Sequence, residues 1–184
     1  MSAHVFGYAS LVAAAERLVT LHGHRRVWGV AMDNRVAIPG YKVYEAPDGR
    51  RPAVAVAFLD LEADPRAAVT GGLLAVDDDA LEALDDRERQ YHRVDVTAAI
   101  DPAPPAGDRV WTYVGRDEGR DRVRRGRDGG GPVVIQRAYA DLVDDAFRAL
   151  GPEHHARYVA STEAPPFPVR ELARVDLPGL SPSR

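Results

Sequence analysis

Residues 52–61 have the sequence PAVAVAFLDL, in which small and large apolar side chains alternate. Such alternation is typical of a β-strand. Further strands are predicted at residues 5–11, 26–32, 41–44, 68–76, 91–98 and 109–114. Strands therefore fill the earlier part of the chain, and helices follow late, without a strand–helix–strand repeat. This order predicts an α+β fold, with a small mixed or antiparallel β-barrel and helices packed against it.

The helices are predicted from caps and from apolar spacing. Asp77 is the expected N-cap of a helix over residues 78–89, because acidic residues fill its first turn. Apolar residues three and four apart predict an amphipathic helix at residues 135–150. A short helix is expected at residues 13–18. The glycine pair at residues 71–72 indicates a bulge or a close approach of two backbone segments.

The length of 184 residues suits a single domain, and residues 1–184 are predicted to form one. Within it, residues 115–131 are rich in Arg, Asp and Gly and are expected to form a mobile loop. The Pro-rich tail after residue 161 is expected to wrap the surface, with residues 180–184 frayed.

Composition excludes several classes of function. The chain has no cysteine, which excludes disulfides, thiolate catalysis and cysteine-bound zinc. Its net charge of −4 argues against a general nucleic-acid partner. With neither a signal-like start nor a long apolar run, the sequence predicts no membrane partner and a cytoplasmic location. The paired histidines lack acidic partners at ligand spacing, so no metal site is predicted.

Glu88 is the main candidate for chemistry. It lies where the helix predicted at residues 78–89 meets the strand predicted at residues 91–98, a junction from which a side chain can reach the mouth of a sheet. Tyr91 and Arg93 follow closely and offer a hydroxyl and a guanidinium. A carboxylate partly removed from water has a raised pKa and can act as general base and then general acid near neutrality.

The N-terminal turn is the second candidate. Residues 6–11, with the sequence FGYASL, leave an apolar strand and enter a tight turn. Consecutive backbone N–H groups in such a turn can bind a carboxylate or an oxyanion. A simple structural turn is the alternative interpretation of the same residues.

Three segments together resemble the γ-glutamylcyclotransferase-like (AIG2-like) family. Residues 6–11 resemble the Tyr-Gly-Ser loop that opens these proteins. Residues 84–88, with the sequence LDDRE, are similar to the family's Leu-Asp-x-x-Glu segment and are followed by Tyr91. Residues 110–114, with the sequence VWTYV, resemble the later strand that brings a tyrosine to the pocket. The matched order covers about residues 4–114.

The resemblance implies an enzyme that needs no cofactor. A γ-glutamyl amine, dipeptide or glutathione would cyclise to 5-oxoproline and release its amine, with Glu88 as general acid/base. The residues implied to bind this small γ-glutamyl substrate are Tyr8, Ala9, Ser10, Leu11, Tyr91 and Tyr113. Ring closure depends mainly on bringing the α-amine to the γ-carbonyl.

Ala9 departs from the family's loop, which has a glycine there. At a position with positive φ, alanine would cost about 1 kcal/mol or more. At negative φ the substitution is harmless, so the φ angle of Ala9 is the quantity to examine.

Other interpretations of the chain stay open. A non-catalytic relative would keep the pocket and use Glu88 only to recognise an amine. An interaction module would use the helix at residues 135–150 to form dimers, and the chain is expected to be a monomer or a homodimer. Asp85 or Asp86 could also pair with Glu88 as a carboxylate dyad, although a local orienting role for Asp85 fits its spacing better.

Overall fold

The computed structural model describes residues 2–15 and 17–179. In those residues the strands are β1 (Ala3–Gly7), β2 (Arg17–Asp33), β3 (Lys42–Glu45), β4 (Ala55–Val76), β5 (Tyr91–Asp95), β6 (Ile100–Asp101), β7 (Arg109–Gly115), β8 (Val133–Gln136), β9 (Val169–Arg170) and β10 (Ala173–Asp176). The helices there are α1 (Asp78–Arg87), α2 (Asp117–Arg127), α3 (Arg137–Ala149) and α4 (Pro152–Ala160), with 3₁₀-helices at Ser10–Ala14 and Thr97–Ala99. Among these helices, none is long and apolar enough to cross a membrane.

The main sheet is mixed and curls into a half-barrel. Its strands follow the order β5-β7-β1-β4-β2-β6, and β8 and β9 continue from β4. β1 lies antiparallel to β4 and parallel to β7. A separate two-stranded sheet is formed by β3 and β10. The α+β class and the curled mixed sheet are therefore confirmed.

β2 and β4 form the longest strand pair of the main sheet. β4 runs through both strands predicted at residues 52–61 and 68–76, so one 22-residue strand replaces two. It pairs with the 17-residue β2, whose register shifts between His22 and His24 and again between Val27 and Val30. Such bulges bend a strand without ending it, which lets the pair follow the curled sheet.

The N-terminal turn packs directly on β4. A 3₁₀-helix at Ser10–Ala14 replaces the helix predicted at residues 13–18, because residues from Arg17 onward pair with β4. A Cβ atom on Gly71 would lie 2.5 Å from the backbone carbonyl oxygen of Gly7, and one on Gly72 would lie 2.0 Å from the Cβ of Ala15. The close backbone approach predicted for the glycine pair is thus confirmed.

The late helices complete the core. Val143 and Phe147 on α3 are fully buried in the main apolar cluster. The helix predicted at residues 135–150 begins later than expected, because Val133–Gln136 form β8 beside the start of β4. A short run of Val and Ile fits a buried strand as well as a helix, and periodicity alone does not separate the two.

The prediction of a mobile loop at residues 115–131 is wrong. Its central part is α2, which has acidic residues in its first turn and arginines in its last, as the helix dipole favours. The buried face consists only of Gly119 and Val123. A Cβ on Gly119 would lie 2.5 Å from a methyl of Val30, so glycine lets the helix approach β2. One glycine and one valine produce no apolar periodicity, and the helix was missed.

The Pro-rich tail runs along the surface, as expected, but it forms two strands on the way. β9 pairs with β8, and β10 pairs with β3. Most of β10 is exposed. Residues 180–184, for which fraying was predicted, lie outside the described residues.

Candidate active site

A cavity of about 580 Å³ opens beside the N-terminal turn. Its walls come from this turn, the end of α1, β3, the start of α3, and β10. All the site residues predicted from the sequence line it, namely Tyr8, Ala9, Ser10, Leu11, Glu88, Tyr91 and Tyr113. The fold therefore brings together three segments that are far apart in the chain.

Glu88 ends α1 and is held by its backbone on both sides. Its N–H donates to the carbonyl of Leu84 at 2.8 Å, and its carbonyl accepts from the N–H of Tyr91 at 2.8 Å. Asp77 caps the other end of the helix by accepting from the N–H of Ala80 at 2.8 Å, which confirms the predicted N-cap. The helix–strand junction predicted for Glu88 is thus a rigid turn.

The carboxylate of Glu88 lies in the cavity with 18% of its side chain exposed. Arg87 is its nearest cation, with 3.3 Å between Nε and Oε1. Burial raises the pKa of Glu88, and the charges of Arg87, Lys42 and Arg174 offset only part of this effect. The arrangement favours a carboxyl group that can both accept and return a proton.

The raised pKa predicts a pH-dependent effect of Glu88→Gln on stability. At a pH below the usual pKa of Glu, the carboxyl is protonated in both the folded and the unfolded protein, so burying it then carries no ionisation penalty. As the pH rises through the raised folded pKa, the buried carboxyl ionises and the fold loses stability. We expect the melting temperature of Glu88→Gln minus that of the native protein to become more positive from pH 4 to pH 8.

Thermal melts at several pH values test this expectation. Glu82→Gln is the matched control, because it is the same exchange at an exposed position of α1. A Glu88→Gln advantage that shrinks with rising pH would contradict the desolvation of this carboxylate.

Ala9 adopts a φ angle of −132°, which an L-residue tolerates. No residue other than glycine has a positive φ in the described residues. The alanine therefore carries none of the cost of a left-handed conformation.

The turn presents unused backbone donors beside the cavity. Within residues 2–15 and 17–179, the N–H groups of Ala9, Ser10 and Leu11 have no hydrogen-bond acceptor. The Arg87 guanidinium lies 3.4 Å from the hydroxyl oxygen of Ser10 and so connects this turn to the end of α1. Free N–H groups in a row suit an anionic group.

The hydroxyl groups of three tyrosines around the cavity contact the backbone N–H or carbonyl of Leu59. Tyr91 donates to its carbonyl at 2.8 Å, and the N–H of Leu59 donates to the hydroxyl of Tyr139 at 3.4 Å. Tyr8 lies 3.5 Å from the same carbonyl and donates to the carbonyl of Tyr113 at 2.8 Å. Leu59 is available because the β2 bulge leaves it without a partner residue in that strand.

Tyr113 is held by an acid of α1. Its hydroxyl donates to Asp85 at 2.7 Å, and Arg93 lies 3.1 Å from the other carboxylate oxygen. Asp85 thus has an orienting role, as preferred over a carboxylate dyad, but it orients Tyr113 of β7 and not a neighbour in the chain, and it pairs with the guanidinium of Arg93. The hydroxyl protons of Tyr8, Tyr91 and Tyr113 are all used within the protein. These tyrosines therefore offer a ligand their rings and their acceptor lone pairs.

Asp60 follows the cavity residue Leu59 on β4 and was missed in the sequence. It is 1% exposed. One carboxylate oxygen accepts from the N–H groups of Leu61 and Gly115 at 2.7 Å each, and the other accepts from Nε of Arg120 at 2.8 Å. An acid inside an otherwise apolar strand was the signal that could have identified it.

Lys42, Tyr139 and Arg174 also line the cavity and were not predicted. They come from β3, α3 and β10, and no sequence pattern links them. In the part of the chain that the structure describes, no three His, Asp or Glu side chains are grouped as metal ligands.

Comparisons with known proteins agree with this geometry. The model of the family described as "Gamma-glutamyl cyclotransferase, AIG2-like" matches residues 5–129, more than half of the chain. A comparison with curated proteins found no significant match.

Two solved structures share the fold at low sequence identity. One, titled "Gamma-glutamyl cyclotransferase", has 12% identity and a TM-score of 0.51 over 88% of each chain. The other, an uncharacterized protein from Homo sapiens, has 13% identity and a TM-score of 0.53 over 87% of this chain and 88% of that one. By the family match, together with the shared fold, this chain belongs to the gamma-glutamyl cyclotransferase, AIG2-like family.

Proposed function

We propose that this protein converts a small γ-glutamyl compound to 5-oxoproline and releases the attached amine. The observation that carries the proposal is the largely buried carboxylate of Glu88, which lies in one cavity with a turn of unused backbone N–H donors. Membership of the family supports cyclotransferase chemistry in general. The substrate class and the roles of the residues rest on the geometry of the cavity.

Glu88 is proposed as the proton carrier. Its carboxylate accepts a proton from the α-ammonium of the substrate, and the neutral amine attacks the γ-carbonyl carbon. A new C–N bond closes the five-membered ring, and the bond to the leaving nitrogen breaks. Glu88 then returns its proton to that nitrogen, takes the second proton from the ring nitrogen, which becomes the lactam N–H, and passes it to the released amine, which leaves as an ammonium ion. The products together have the composition of the substrate, so the proposed reaction consumes neither water nor a cofactor.

The N-terminal turn is proposed to hold the glutamyl end. The N–H groups of Ala9, Ser10 and Leu11 suit the α-carboxylate, and the rings of Tyr91 and Tyr113 limit the space around the carbon chain. Holding the amine against the carbonyl contributes up to about 7–11 kcal/mol toward the barrier. The rigid turn at Glu88 would make this contribution available, because the proton carrier is already in position.

Incubation of the native protein with γ-glutamyl amines, γ-glutamyl dipeptides and glutathione tests the proposal. We expect stoichiometric appearance of 5-oxoproline and free amine from at least one compound, measured by liquid chromatography. Absence of 5-oxoproline with every compound would refute the enzyme assignment.

A non-catalytic binding role is the second candidate. The hydroxyl protons of Tyr8, Tyr91 and Tyr113 favour it, because all three are engaged within the protein and none is left to take part in proton transfer. Calorimetric binding of a γ-glutamyl compound without turnover would support this role.

A further inference from the structure

Lys42 is the only lysine of the chain, and it lies in the cavity wall formed by β3. Its ammonium nitrogen is 4.7 Å from the centroid of the Phe58 ring and 5.4 Å from that of Tyr41. The ammonium therefore lies over the faces of two aromatic rings, and cation–π attraction helps to fix its position.

The other cations of the cavity already have carboxylate partners. Arg174 lies 2.7 Å from Asp176, and Arg87 lies 3.3 Å from Glu88. Among the described residues, no carboxylate lies within 4.0 Å of the ammonium of Lys42. Burial, and then the charge of Arg174, lower the pKa of Lys42 to about 8, and Glu88 only partly offsets them. A carboxylate placed beside Lys42 would relieve this cost.

The wall that carries Lys42 is separate from the wall proposed to hold the glutamyl end. β3 pairs with β10 and not with the main sheet, and β10 lies beyond residues 5–129 matched by the family. With the glutamyl end at the N-terminal turn and at Glu88, the leaving group is left to contact the β3 wall.

We propose that Lys42 selects the leaving group by pairing with a carboxylate on the released amine. This inference rests on the proposed function and refines its substrate class. An α-amino acid carries a carboxylate beside the amine that is released, whereas a simple amine or a diamine carries none. The preferred substrates are therefore γ-glutamyl α-amino acids, and Lys42 is a specificity residue and not a proton carrier.

A matched substrate pair tests this assignment. γ-Glutamylalanine and γ-glutamylalanine amide have nearly the same shape and differ in the leaving-group charge. We expect the native protein to favour the acid by about 10- to 100-fold in kcat/KM, the usual range for a hydrogen bond between charged groups. The difference should reside mainly in KM, because pairing of this kind is the same in the ground state and the transition state.

Two variants separate charge from packing. Lys42→Met keeps the length of the side chain and removes the charge. It should lower kcat/KM for the acid alone, so that the ratio of acid to amide falls to near one. Lys42→Arg keeps the charge and should retain most of the preference. Equal losses for both substrates in Lys42→Met, or an unchanged preference, would overturn the proposal.

Binding measurements distinguish failure of this inference from failure of the proposed reaction. Calorimetry with the same two compounds is done on Glu88→Gln, with and without Lys42→Met. Tighter binding of the acid that disappears with Lys42→Met supports the role of Lys42, even if no protein forms 5-oxoproline and the reaction is refuted. Equal binding of the acid and the amide overturns the role of Lys42, whatever the turnover.

Discussion

Glu88→Gln should lower the rate of 5-oxoproline formation by about 10²–10⁴-fold, the contribution typical of a positioned general acid–base. Glutamine has nearly the same shape as glutamate, so the turn that ends α1 is kept. It can neither take the proton of the α-ammonium nor return one to the leaving nitrogen. The affinity for substrate should change far less than the rate, because the N–H donors of the N-terminal turn are untouched.

The measurement is kcat and kcat/KM for 5-oxoproline release, with Glu82→Gln as the control. Glu82 is an exposed acid of the same helix, and its exchange should leave the rate within a factor of about 2 of the native protein, as expected for a surface substitution. A Glu88→Gln protein that retains near-native turnover would exclude Glu88 as the proton carrier and would require another group to take that role.

Asp60→Ala should lower the free energy of unfolding by about 3 kcal/mol, the lower end of the cost of breaking a buried ion pair. The carboxylate is 1% exposed and accepts hydrogen bonds from two backbone N–H groups and from Arg120. Alanine leaves both N–H groups buried without an acceptor. The lower end of that range applies because Arg120 is 37% exposed and its guanidinium can hydrogen-bond to water once Asp60 is removed.

For a domain of this size, the loss corresponds to a fall in melting temperature of roughly 10 °C. Glu62→Ala on the same strand is the control, because its ion pair with Arg25 is more than half exposed and is worth about 0–1 kcal/mol. Arg120→Ala should also destabilise the protein, since it leaves the buried carboxylate of Asp60 with its two backbone donors but without its cation. Equal stability of Asp60→Ala and Glu62→Ala would contradict the structural role of Asp60.

The site was predictable to the extent that its signals are local. A capped helix that ends at an acid, followed at once by a strand, placed Glu88 correctly, because capping and helix termination depend on residues within a few positions. The same holds for the N-terminal turn. Partners far along the chain had no local signal: the acid inside an apolar strand marks Asp60 as unusual, but nothing near it in the sequence points to Gly115 or Arg120.

The errors in the fold have the same origin. α2 has one glycine and one valine on its buried face, so its packing on β2 was invisible to apolar periodicity. The helix predicted at residues 135–150 includes Ile135 and Gln136, which belong to β8, because only the pairing with β4 distinguishes a strand from a helix there. In both cases the tertiary contact decided a segment whose own sequence was ambiguous.

By itself, the sequence determined the α+β order of elements, the N-cap of α1, and the place of Glu88 at a helix–strand junction. These follow from hydrogen bonds and side-chain spacings that span a few residues. Only the tertiary structure decided that the β2 bulge leaves the backbone of Leu59 free to contact the tyrosine hydroxyls. It also decided that β10 pairs with β3 and so completes the wall beside Lys42. These contacts join residues that are tens of positions apart, or more than a hundred in the case of β10 and β3, and the register of the strands depends on the whole sheet.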